Sequence, residues 1–246
     1  MVIPIYDNDP LDRNPYAVVT WSLIAINFLV FFVQLGGSDD TNLAIIRDFA
    51  LIPAAISGKL TLDSTFPPVF GAVTYMFLHA GWLHIISNML FLWVFGDNIE
   101  DAMGSVRFLF FYLLCGAAGG IAHFVMFPGS NVPLVGASGA VAGVVAAYLM
   151  LRPCAKVTVL AFGFVPLRLG SAWVLGFWVL MQVWEVLSSA KGDTAWWAHI
   201  GGLAAGAALT VFLRRPELPL FECMRPGDTI MAHASLPKDR QRWGSR

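Results

Sequence analysis

Residues 131–151 read NVPLVGASGAVAGVVAAYLML, an apolar run that contains no charged side chain. The run matches the ~20 residues that a helix needs to cross the hydrocarbon core of a bilayer. Five similar runs lie at 17–36, 71–96, 108–127, 169–187 and 195–213, and Glu185 is the only carboxylate inside any of the six. Soluble helices of this length carry a polar face, which these runs lack. The sequence therefore predicts an all-α membrane protein, a bundle of six transmembrane helices.

The overall composition agrees with a surface that faces lipid. Hydrophobic residues make up 57% of the 246 residues and charged residues 13%, and the mean hydropathy is +0.69. Soluble domains carry about 25% charged residues, so this chain has too few of them to cover a water-facing globule. No segment has the alternating pattern of a membrane β-barrel, which leaves helices as the spanning elements.

The positions of the basic residues predict the topology. With the N-terminus in the cytoplasm, twelve of the 15 Lys and Arg residues fall in inner segments and three in outer loops. Cytoplasmic segments of membrane proteins carry such an excess, so we expect both termini in the cytoplasm. The first run has no cleavage-site flank and is expected to be a true span. A short multi-pass chain with this topology suits a bacterial plasma membrane.

The runs divide the chain into one membrane domain with two flanking segments. We expect a short cytoplasmic leader over 1–16, a six-helix domain over 17–213 and a flexible cytoplasmic tail over 214–246. The connection 37–70 is predicted to be an outer loop that lies in the membrane interface. No nucleic-acid-binding module is visible. Three cysteines without a Cys-x-x-Cys motif predict neither a disulfide framework nor a metal or redox site.

Two reactive residues lie at similar depths in two of the runs. Ser138 is close to the outer end of its run and His199 to the outer end of another, roughly 6–10 Å below the surface at ~1.5 Å per residue. A serine hydroxyl is a weak nucleophile until a neighbouring base takes its proton, and histidine suits that task. We therefore interpret Ser138 as a nucleophile and His199 as its base.

Small residues and hydrogen-bond donors surround this pair. Gly136 and Gly139 flank the serine and Gly202 follows the histidine, and such residues let helix backbones approach closely in a membrane. In the second run, His84 and Asn88 are four residues apart and share one helix face. Both side chains can donate hydrogen bonds, as an oxyanion hole requires.

Four motifs resemble those of the rhomboid family of intramembrane serine proteases, in the family's order and over about residues 15–215. They are Gly136-Ala-Ser138-Gly139 (Gly-x-Ser-Gly), His79 to Asn88 (His-x4-His-x3-Asn), Ala198-His199-Ile-Gly201-Gly202 (Ala-His-x-x-Gly) and Glu100-Asp-Ala-Met-Gly104 (Glu-x3-Gly).

The resemblance implies a serine endopeptidase with a Ser138–His199 dyad and no third carboxylate. It assigns the oxyanion hole to the Ser138 backbone N–H, His84 and Asn88, and gives His79 a structural role in bracing the first outer loop. The implied substrates are single-pass membrane proteins in the lipid bilayer, cut in or next to their transmembrane segment. No metal or organic cofactor is implied.

Two departures from the family pattern concern the surroundings of the dyad. Some relatives carry a Trp-Arg pair in the first outer loop, and residues 37–70 contain none. Some place an aromatic residue four positions after the serine to stack on the base, and here that residue is Ala142. The sequence leaves open how His199 is held, with Trp196 or another ring as candidates.

Several other interpretations compete with the protease. A non-proteolytic rhomboid-like protein that binds membrane clients is expected to lack the serine or the histidine, and a transporter is expected to show broken helices or charges at the midplane. A haem or zinc protein would use the histidines, yet the acids that complete a zinc site are missing.

Taken one at a time, the singled-out residues also have structural interpretations. Alone, Ser138 would be a packing residue, His123 a core histidine and Glu185 an interfacial carboxylate. The motifs together favour the protease.

Overall fold

A computed structural model of the chain describes residues 2–7, 11, 13–14, 16–161, 163–188 and 195–223. This part of the chain is mostly helical. The longer helices are α1 (Val18–Gly36), α2 (Asp39–Phe49), α5 (Trp82–Met103), α6 (Ser105–Met126), α7 (Ser138–Leu151), α8 (Ser171–Ser188) and α9 (Trp196–Leu213). Between α2 and α5 lie the short helices α3 (Pro53–Ile56) and α4 (Gly71–Thr74), and single 3₁₀ turns at Pro68–Phe70 and Tyr75–Phe77.

Each predicted apolar run corresponds to a helix, but two runs differ in where that helix begins. Within the described residues, four helices (α1, α6, α8 and α9) are individually long and apolar enough to cross a membrane. The second run is broken: the helical turns over Pro68–Phe77 meet α5 at 75°, and together they form a possible fifth span. The fourth run yields the short apolar helix α7, which starts only at Ser138.

The prediction of an all-α protein was wrong, because the described residues also form a small sheet of three antiparallel strands. Strands β1 (Val2–Asp7), β2 (Lys156–Ala161) and β3 (Val165–Gly170) pair in the order β1-β2-β3. In β2, burial alternates with the two-residue period of a strand. A carboxylate ties β1 to the bundle, because the Tyr148 hydroxyl and the Asn98 amide donate to Asp7 Oδ2 at 2.6 and 2.7 Å.

A second buried carboxylate, Glu100, fixes the beginning of α1. Its Oε2 accepts hydrogen bonds from the backbone N–H and the hydroxyl of Thr20, at 2.8 and 2.9 Å, and its Oε1 accepts the N–H of Val19 at 3.0 Å. These N–H groups have no acceptor within the helix, and a negative charge is favourable at a helix N-terminus. The motif that ends at Gly104 therefore holds the first helix in place.

The segment after α9 is packed where the sequence predicts the start of a flexible tail. Residues 214–223 form backbone hydrogen bonds with α5 and α7, and Leu218 is buried. The segment ends with Cys223 bonded to Cys154, at a Cα–Cα distance of 5.2 Å. This pairing contradicts the expectation of no disulfide, because the returning segment brings the two cysteines together. The rest of the predicted tail, 224–246, lies outside the described residues.

Helices α7 and α9 meet through their backbones. A Cβ atom on Gly202 would overlap the carbonyl oxygen of Gly139, and one on Gly206 would lie 2.5 Å from the Cα atom of Gly143. Helix α6 joins the contact, because a Cβ on Gly119 would lie 2.6 Å from the carbonyl oxygen of Ala198. Close approach of this kind gains van der Waals packing inside a membrane. The three helices therefore form the rigid centre of the bundle.

This contact predicts that Gly202→Ala destabilises the protein. The added methyl group has no space beside Gly139, and overpacking of this kind typically costs about 1–3 kcal/mol. The matched control is Gly176→Ala in α8, where the new methyl group meets no atom within 4 Å. Thermal unfolding in detergent should show a lower midpoint for Gly202→Ala and an unchanged or higher one for Gly176→Ala. Equal midpoints would contradict the close contact.

Candidate active site

The predicted nucleophile lies at the very start of a helix. Ser138 is the first residue of α7, after the N-cap residue Ala137. The chain enters this helix through Gly136, whose φ of 117° suits glycine alone. A Cβ on Gly136 would also lie 2.5 Å from Nε2 of His84. The Ser138 side chain is half-buried, and the N–H groups of the first helical turn have no intrahelical acceptor.

The predicted base, His199, lies in the first turn of α9 and is held from two helices. The Trp196 ring, in the same helix, meets the imidazole edge-on at a centroid distance of 5.6 Å. Trp178 of α8 approaches it at 6.0 Å. Gln182, also in α8, places its Oε1 atom 2.6 Å from His199 Nδ1. Trp196 was a candidate from the sequence, whereas the role of Gln182 was missed.

A signal for Gln182 was present in the sequence. It is the only amide side chain in the apolar run 169–187. Polar groups inside a membrane tend to face the bundle interior and find partners there. Only three residues of α8 are buried, and Gln182 is one of them. The sequence alone could not show which residue it would meet.

One pocket of about 310 Å³ brings together the four residues predicted to carry the chemistry. Its walls come from α5, α7, α8, α9 and the segments that precede α7 and α9. The lining residues are His84, Ser87, Asn88, Phe91, Val135, Ser138, Val141, Trp178, Ala195, Trp196 and His199. A mostly apolar pocket with a few convergent polar groups is typical of a binding or catalytic site.

The two predicted donors come from α5 and line the same pocket as Ser138. This helix begins at Trp82, so His84 lies in its first turn, level with the start of α7. The backbone N–H of Ala80 donates to His84 Nδ1 at 3.5 Å. The proton of the neutral ring then belongs on Nε2, the atom beside Gly136. The Asn88 amide donates one N–H to the His84 carbonyl oxygen at 3.0 Å, which leaves its other N–H for a ligand.

The other predicted site residues surround this pocket without lining it. The buried His79 ring packs edge-on against the His84 ring, with 5.2 Å between the ring centroids. The Gln34 amide is hydrogen-bonded to both the N–H and the C=O of the His79 backbone. Gly136, Gly139 and Gly202 provide the close contacts described above. His123 packs against Phe127 at the C-terminal end of α6. Neither His123 nor Glu185 is among the pocket residues.

The fold and the pocket together define a class: a bundle of membrane-length apolar helices with a serine and a histidine facing one recess. Residues 68–216 match the family model described as Rhomboid domain. The chain therefore belongs to the rhomboid family, and it is an integral membrane protein.

The relatives of the chain include proteins named as proteases and one named as inactive. The chain is 34% identical to Rhomboid protease GluP of Bacillus subtilis over 137 residues, which is 56% of this chain and 25% of that protein. It is 30% identical to RHOMBOID-like protein 6, mitochondrial, of Arabidopsis thaliana over 243 residues, 84% of this chain and 72% of that protein. Inactive rhomboid protein 1 of Drosophila melanogaster is 31% identical over 83 residues, 34% of this chain and 6% of that protein.

Proposed function

We propose that this protein is an intramembrane serine endopeptidase that uses Ser138 as nucleophile and His199 as general base. The observation that carries the proposal is the shared pocket: Ser138, His199, His84 and Asn88 come from three helices and line one recess. A non-catalytic packing role would not require these four side chains to converge. The family also includes relatives named as proteases.

The first chemical step forms an acyl-enzyme. The Ser138 oxygen attacks the carbonyl carbon of the scissile peptide bond while its proton passes to Nε2 of His199. The tetrahedral intermediate collapses, the C–N bond breaks, and the leaving amine takes the proton back from His199. In the second step His199 activates a water molecule, which hydrolyses the ester and restores the Ser138 hydroxyl.

The oxyanion of each tetrahedral intermediate is stabilised by donors from residues that line the pocket. We assign this role to the Ser138 backbone N–H, His84 Nε2–H and the free N–H of the Asn88 amide. Preorganised donors of this kind act strongly in a site that excludes water. The start of α7 adds the partial positive charge of a helix N-terminus to the same place.

The proposal includes six membrane spans with both termini in the cytoplasm, in the plasma membrane of a bacterial cell. The excess of Lys and Arg in the segments assigned to the inside supports this orientation. In the proposed orientation, α7 is the fourth span and the pocket lies near the outer surface. The substrates are then single-pass membrane proteins, whose helix enters laterally and unwinds locally to present a peptide carbonyl to Ser138.

Cleavage of a single-pass membrane protein tagged at both ends tests the dyad. The purified parent should cut it, and Ser138→Ala and His199→Ala should each reduce turnover to background. The control Ser22→Ala removes an exposed hydroxyl that bonds to its own helix, and it should cut at the parent rate. If Ser138→Ala and His199→Ala cut as fast as the parent, the proposal is wrong.

The same experiment separates the alternative function. If the folded parent is silent but retains a membrane client through purification, the protein is a non-proteolytic rhomboid-like binder. The similarity to a relative named as inactive is the reason to consider this alternative. The presence of both Ser138 and His199 in one pocket favours the protease.

A second experiment tests the oxyanion hole. His84→Ala and Asn88→Ala should each lower kcat by about 10²–10³-fold, the usual effect of losing one oxyanion donor. The matched control is Asn27→Ala in α1, because Asn27 is also buried and also donates to the carbonyl four residues earlier, but outside the pocket. Its kcat per folded molecule should not change. An Asn88→Ala variant that works at the full rate would remove Asn88 from the assignment.

A further inference from the structure

We propose that Gln182 of α8 is a positioning residue that holds His199 in the tautomer with its proton on Nδ1. The inference rests on the proposed function, since it concerns how the base is prepared for catalysis. The observation behind it is the hydrogen bond between His199 Nδ1 and Gln182 Oε1 at 2.6 Å. Gln182 is one of only three buried residues in its helix.

The orientation of the Gln182 amide follows from its second partner. Its Nε2 atom lies 3.3 Å from the backbone carbonyl oxygen of Trp178, one turn earlier in α8. A carbonyl oxygen can only accept a hydrogen bond, so the amide NH₂ must face Trp178. The reversed amide would set two acceptor oxygens against each other. The amide oxygen therefore faces His199.

This orientation decides which nitrogen of His199 carries the proton. The Gln182 oxygen can only accept, so Nδ1 must be the donor. A neutral imidazole has one N–H, and Nε2 is then left with a free lone pair. The lone pair on Nε2 is what the proposed mechanism needs, because that atom takes the proton of Ser138. The opposite tautomer would place a second donor against the hydroxyl and block the transfer.

The aromatic neighbours of His199 restrict the orientation of its ring but do not determine its tautomer. Trp178 and Trp196 contact the imidazole through their rings, and these contacts do not distinguish the two nitrogens. The aromatic residue that would stack on the base in some relatives is replaced by Ala142. Gln182 therefore supplies both orientation and proton placement from a different helix. An uncharged amide does so without adding a buried carboxylate to the pocket.

The ¹⁵N NMR spectrum of His199, in protein labelled at histidine and reconstituted in bilayers, reads the tautomer directly. His199→Gln identifies the signals by their loss. The parent should show a protonated Nδ1 and an unprotonated Nε2, which resonates far downfield. This measurement needs no substrate, so its outcome is independent of whether the protein proves to be a protease. A parent ring protonated on Nε2 would overturn the inference.

Two variants of Gln182 separate positioning from packing. Gln182→Met keeps the length of the side chain but removes the acceptor, whereas Gln182→Glu keeps an acceptor in the same place. We expect the Nδ1–H form to be lost as the main species in the methionine variant and retained in the glutamate variant. Ser188→Ala, which removes an exposed hydroxyl from the same helix, should leave the spectrum unchanged. If both Gln182 variants keep the parent tautomer, or both lose it, the inference fails.

Kinetics provide the second readout. Gln182→Met should lower kcat by about 10–100-fold with little change in KM, by analogy with the effect of removing the hydrogen-bond partner of a metal-ligating histidine. Gln182→Glu should recover most of that loss. A methionine variant that cuts at the parent rate would contradict the positioning role even if the dyad itself is established by the Ser138 and His199 variants.

Discussion

The contact between the backbones of α7 and α9 is the constraint on which the site depends. Gly139 and Gly202 touch where no side chain fits. Ser138 immediately precedes the first glycine, and His199 lies about one turn before the second. A closest approach at these two glycines therefore brings the hydroxyl and the imidazole to the same pocket. The small residues that favour helix packing in a membrane therefore also bring the serine and the histidine to one pocket.

The hydrogen bonding of polar side chains differs between the two ends of the bundle. At the end that holds the sheet, Asp7 and Glu100 are buried and accept several hydrogen bonds, so their side chains link separate elements. At the other end of α7, His84 and Asn88 keep donors that face an open pocket. Buried carboxylates that accept several hydrogen bonds hold elements together, whereas donors without a partner are available to a bound group. This contrast supports the proposal that the pocket is the catalytic site.

Hydropathy and motif spacing predict the helices and the central pair, because ~20-residue apolar runs and a serine flanked by glycines are local signals. Other features are set by tertiary contacts. The six-residue strands of the sheet are too short and mixed in polarity to stand out from loops, and β1 is stabilised by Asp7 meeting α5 and α7. The break before Trp82 falls inside an apolar run, where hydropathy cannot show it. Gln182 is visible as an isolated amide, but its partner depends on how α8 packs against α9.

The most direct test of the central claim is covalent labelling of the serine. A fluorophosphonate probe reacts with serine only where a base has activated the hydroxyl, so labelling reports the dyad without any assumption about the substrate. The membrane-reconstituted protein should be labelled at Ser138, as located by mass spectrometry, and the label should be lost in His199→Ala. Labelling that does not depend on His199, or a folded protein that takes up no label at Ser138, would contradict a serine–histidine catalytic pair in this bundle.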